Sequence, residues 1–184
     1  MKKTFAVAAA VLSATGPIAM APQVAAHDGA TGIVETRMHA MKTMGKAVRS
    51  LKGMIETGES YDANKVREQA KIIRMHAGKA MTKQFPEGSL DEPTHAKPEI
   101  WSDWDRFAQL ADQLNTYAEG LALAAGNEPT MGGTMMEGQG PMASMMTSGL
   151  HDAAELGQMP PDGVFAMMVD TCRSCHMDFR SRKD

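Results

Sequence analysis

Apolar side chains recur three or four residues apart through four long stretches of this chain, and no stretch of useful length alternates with the two-residue period of a strand. That spacing predicts helices. The first stretch, from about Gly29 to Thr57, places Val34, Arg37, Met41, Met44, Val48, Leu51 and Ile55 on one face. The second follows Asp62, a side chain suited to an N-cap, and presents Val66, Ala70, Ile73, Ala77 and Ala80 until Gln84-Phe85-Pro86-Glu87-Gly88 stops it. The third begins around Pro98, a good first-turn residue, and shows Ile100, Trp104, Phe107, Ala111, Leu114, Ala118, Leu121 and Ala125 before Gly126-Asn127-Glu128-Pro129. The fourth starts after Pro160-Pro161-Asp162 and carries Phe165, Met168, Cys172, Cys175 and Phe179. Four amphipathic helices with mostly short connections predict an all-α, up-down-up-down four-helix bundle, with any cofactor held between facing helices.

The fourth stripe contains Cys172-Arg173-Ser174-Cys175-His176. C-x-x-C-H is the attachment signature of c-type haem. Two thiols three residues apart add to the two vinyl groups as thioethers, and the adjacent histidine offers a ring nitrogen to the iron as proximal ligand. On a helix these positions are i, i+3 and i+4, so all three side chains leave one face. A zinc site would need two further ligands at similar spacing. The remaining histidines (His27, His39, His76, His95 and His151) are scattered singly, and there is no third cysteine. A thioredoxin-like disulfide would need a βαβ setting, which helical patterning does not supply.

The N-terminus bears on compartment. Met1-Lys2-Lys3-Thr4 is a short basic segment, Phe5 to Ala14 is mostly apolar and small, and Val24-Ala25-Ala26 offers small residues to a signal peptidase. Residues 1–26 are therefore expected to be a secretory signal cleaved after Ala26, leaving 27–184 as one domain in the periplasm. No later run reaches the ~18 consecutive apolar residues of a membrane span. The net charge of −3, with no basic tract, argues against nucleic acid as a partner. No nucleophile–base pair, phosphate-binding glycine loop or paired-carboxylate motif stands out, so no enzymatic activity is expected.

Three separated motifs resemble those of the cytochrome c′ family, the class II c-type cytochromes. They are Arg37-x-x-x-Met41-Lys42-x-x-Gly45-Lys46, Lys97-Pro98-Glu99-Ile100-Trp101-Ser102-Asp103-Trp104 with Phe107, and Cys172-x-x-Cys175-His176-x-x-Phe179-Arg180. The resemblance implies a periplasmic four-helix bundle, one covalent haem c and, in many members, a homodimer. It assigns Cys172 and Cys175 to the thioether links and His176 to the proximal iron site. Arg180 would lie beside the proximal haem face, Arg37 would reach the propionates, and Met38 would pack on the haem edge. An arginine on an apolar stripe independently asks for an anionic partner, unless it snorkels out at the helix start.

By the same resemblance Met41 stands over the sixth iron position, with Met38 and Met44 flanking it. A ligating thioether gives a six-coordinate centre suited to electron transfer with periplasmic redox partners. A merely stacked one leaves a five-coordinate iron open to nitric oxide or carbon monoxide. The methionines on helix one favour electron transfer, with gas binding as the alternative. Residues 127–163 depart from the family as an insertion longer than the ~12–15 residues of ordinary loops. Seven methionines lie between 131 and 159. They are read either as an insertion with a short helix near Met142 to Leu156 that packs on the bundle, or as soft thioether ligands for copper.

Overall fold

The computed structural model describes residues 30–57, 60–90, 93–130 and 152–181. Among the described residues the chain forms α1 (Gly32–Thr57), α2 (Ala63–His76), α3 (Lys79–Thr82), α4 (Glu99–Ser102), α5 (Trp104–Ala124), α6 (Ala153–Leu156) and α7 (Pro161–Phe179). The four long helices α1, α2, α5 and α7 make the expected bundle. Helix α5 packs most extensively, on α2 and on α7, and α1 closes the ring against α2 and, more lightly, α7. Leu51, Val66, Ile73, Leu121 and Met168 are fully buried between them. Each side chain of this size contributes about 1.5–3 kcal/mol by leaving water.

Local chemistry sets the helix ends. The Asp62 carboxylate accepts from the backbone of Asn64 at 2.9 Å and Lys65 at 3.2 Å, as its N-cap reading requires. Pro161 occupies the first position of α7, where its missing N–H is harmless. The second helix does not run on to Gln84: it ends at His76, and a separate turn begins at Lys79. Gly78 makes the break, with φ +57° and its N–H donating to Ala111 O at 2.9 Å. A Cβ at that position would lie 3.3 Å from side-chain atoms of Asp112 and Asn115. The kink shifts the helical phase by one residue, so Met81 is buried where Ala80 was expected. The third helix is likewise divided at Asp103 (φ −128°, ψ 51°), which leaves Trp104 39% exposed.

Within the long insertion, α6 is N-capped by Asp152, which accepts from Glu155 N at 2.8 Å. Its Leu156 packs so closely over Gly120 that an added Cβ there would come within 2.8 Å of Leu156 Cδ1. The expected signal segment with its cleavage point, His27, His151 and Met131 to Met146 lie outside the described residues. No helix among the described residues is long and apolar enough to cross a membrane.

Candidate haem-binding site

All four bundle helices contribute to one cavity of about 190 Å³. Helix α7 supplies Val169, Thr171, Cys172, Cys175 and His176; α1 supplies Met41, Met44, Gly45 and Val48; Ile73, Met81, Leu110, Ala111 and Leu114 complete the walls. Thr171 is buried, and its hydroxyl is satisfied by Met167 O at 3.1 Å and Gln113 Oε1 at 3.5 Å. Gln113 Nε2 in turn donates to Tyr117 Oη at 3.1 Å, one turn along α5, so a short polar chain reaches from Thr171 into that helix. Both cysteines, half-buried, and His176, exposed on its outer side, line the cavity from α7.

Both cysteines are half-buried and unpaired with each other. Burial pushes the Cys175 thiol up to about 11, reinforced by Cys172 and Asp178 and partly offset by Arg106. Burial also raises Cys172. Such groups are protonated thiols near neutrality, poor as a redox or zinc pair. The His176 imidazole is pulled below its ordinary range, first by loss of solvent and then by Arg180, which favours the neutral ring that an iron ligand needs. Among the described residues no three His, Cys, Asp or Glu side chains converge on one ion. The pattern fits a haem: two sulfurs would reach its edge, the imidazole its centre, and apolar walls its faces.

A second groove of about 270 Å³ shares Met41 with this cavity and is lined by Arg37, Met38, Lys42, Phe85, Thr94, His95, Ala96 and Arg180. Arg37 is only 3% exposed. Its guanidinium donates to Ser89 O at 2.6 Å, Ser89 Oγ at 3.2 Å, Thr94 Oγ1 at 3.3 Å and Gln84 O at 3.5 Å, and stacks 5.0 Å from the Phe85 ring centroid. It thus braces the segment between α3 and α4 rather than snorkelling. Arg180 sits just past the end of α7 in extended conformation (φ −123°, ψ 128°). There it bridges antiparallel to Ala96, while Lys97 N donates to Phe179 O at 3.0 Å and Ser181 N to His95 O at 2.8 Å.

Of the residues singled out from sequence, Cys172, Cys175, His176 and Met41 come together in the cavity; Arg37, Met38 and Arg180 join Met41 in the adjoining groove. Met44 shares the cavity and Met38 does not, which leaves Met41 and Met44 as the thioethers of α1 on its wall. Sequence reasoning missed Phe85, read only as part of a helix stop, although its ring also meets Phe107 edge-on at 5.0 Å. It also missed the pairing of 95–97 with 179–181, which no local pattern announces.

The family model described as cytochrome C′ matches residues 32–138, ending before Cys172, so the haem motif is independent of that match. Solved structures agree on the fold. Cytochrome c′ from Thermochromatium tepidum is 23% identical, covers 82% of this chain and 95% of its own, and superposes with a TM-score of 0.58. Cytochrome c′ from Rhodopseudomonas palustris gives 22%, 84%, 100% and 0.59. A nitric oxide complex of a mutant cytochrome c′ from Alcaligenes xylosoxidans gives 20%, 82%, 94% and 0.57. No curated protein matches the chain.

Proposed function

The chain belongs to the cytochrome c′ family, and on that premise we propose that it is a periplasmic electron carrier, not an enzyme, in which His176 and Met41 are the residues that would hold the haem iron. Members of the family carry a covalently attached c-type haem, which supplies a one-electron ferric–ferrous couple. Cys172 and Cys175 would tether its edge, and neutral His176 would hold the iron. The observation that carries the reading is the shared wall: Met41 on α1 and His176 on α7 line the same cavity. A Met41 thioether would favour the ferrous state, and together with His176 it would spare the protein a change of ligands on electron exchange. The basic and apolar N-terminal segment supports export, and redox proteins of the same compartment are the partners this reading requires.

The apolar lining favours a second reading. Apart from the satisfied Thr171, the motif residues and Gly45, the walls are hydrocarbon or thioether. If Met41 stacks without bonding, such a site admits nitric oxide or carbon monoxide and disfavours charged ligands. One experiment separates the two. Electron carriage predicts a low-spin ferric spectrum with a sulfur-to-iron charge-transfer band near the red edge of the visible, lost in Met41→Ala. A high-spin wild-type spectrum, with ready carbon monoxide binding by the ferrous form, assigns the protein to gas binding instead.

A further inference from the structure

We propose that the exposed face of α1 is the docking surface for an acidic redox partner, which the haem cavity meets beneath it. Between Thr36 and Ile55, α1 carries Arg37, Lys42, Lys46, Arg49 and Lys52 and no carboxylate, in a chain whose net charge is −3. Lys42, Lys46 and Arg49 are exposed, spaced four and three residues apart, and so form one stripe. Among the described residues no carboxylate pairs with any of these three.

Two contacts bring the stripe to the cavity. Lys42 lines the groove that shares Met41 with it. Arg49 folds over Gly45, with Nη1 3.6 Å from where a Cβ would stand, and Gly45 is itself cavity wall. Positive charge is thus concentrated on the helix that forms one wall of the cavity, against an overall negative molecule. Such a dipolar arrangement steers a carboxylate-rich surface onto that face and orients it there. A partner protein with an acidic patch is the occupant that fits this sign.

The inference rests on electron carriage, yet it is read separately from it. The mature holoprotein, reduced, is mixed with hexacyanoferrate(III), which takes one electron from ferrous iron and becomes hexacyanoferrate(II), or with the cationic tris(phenanthroline)cobalt(III), reduced likewise to cobalt(II). The stripe predicts that the hexacyanoferrate rate falls as ionic strength rises, although the protein is net negative. Lys42→Glu/Lys46→Glu/Arg49→Glu should slow that reaction by about tenfold or more, reverse its salt slope, and speed the cobalt reaction. Lys46→Glu alone, which lines neither cavity nor groove, should move all three in the same direction if the triple change disturbs the haem spectrum.

A hexaglutamate titration of ¹⁵N-labelled holoprotein supplies a readout without electron transfer, with shifts expected along α1. A wild-type salt slope that follows the net charge, or variants indistinguishable from wild type, would overturn the proposal. So would a dimer in sedimentation that charge reversal dissociates, which would assign the stripe to a second copy of this chain. A high-spin spectrum would remove electron carriage while leaving these slopes in place.

Discussion

Single residues decide the chemistry through their surroundings more than their identity. Cys175 shares its motif with Cys172, yet it is the thiol driven to about 11. Folding of the haem-free chain therefore gains from a protonated Cys175: this contribution is complete below the ordinary thiol value of 9.0 and disappears as pH climbs through about 11. Urea midpoints of haem-free protein should fall across that window, and Cys175→Ser should flatten the fall. In the mature protein, replacing both cysteines by serine should abolish covalently retained pigment on a haem-stained denaturing gel. Tyr61 gives a control remote from the motif. Its hydroxyl donates to Ala125 O at 2.9 Å, and burial raises its pKa. Tyr61→Phe should cost about 1 kcal/mol in chemical denaturation without altering the haem spectrum.

At the scale of elements, spacing carried most of the information and backbone torsion carried the remainder. The stripe of α1 was legible because Val34, Met44, Leu51 and Ile55 really do share a buried face. Asp62 was legible because capping is local chemistry. Gly78 was not: glycine inside a helical pattern is tolerated often enough that its φ of +57° shows only once Ala111 O is there to accept its N–H. Trp104 failed as a core residue because the turn at Asp103 rotates the start of α5 outward. The cavity's motif side was readable for the same reason as α1, whereas Phe85 and the 95–97 segment enter from parts of the chain with no period at all. Gly120 tests the packing of α6: Gly120→Ala should destabilise by about 1–3 kcal/mol, and hydrogen exchange should quicken at Leu156 and Gly157 before the rest of the bundle.

For the whole molecule, Arg37 joins parts that the four helices alone would leave apart. Removing its guanidinium in Arg37→Met takes the 2.6 Å donor from the carbonyl of Ser89 and one partner from the hydroxyl of Thr94, in a part-buried site. A loss of about 2–4 kcal/mol follows from breaking a charge-assisted buried network. Denaturant midpoints measure it, and amide exchange should accelerate through 94–97 as that segment loses its brace. That segment is also the counterpart of the chain leaving α7, where Lys97 Nζ meets Asp178 O at 2.6 Å across 81 residues and Ser181 Oγ meets His95 O at 3.2 Å across 86. Contacts so distant in sequence pay their loop-closure entropy late, after neighbouring helices have paired. The clasp therefore anchors the far end of the helix that carries the haem motif: with Pro161 setting its start and 95–97 holding its exit, α7 is pinned at both ends as well as along its face.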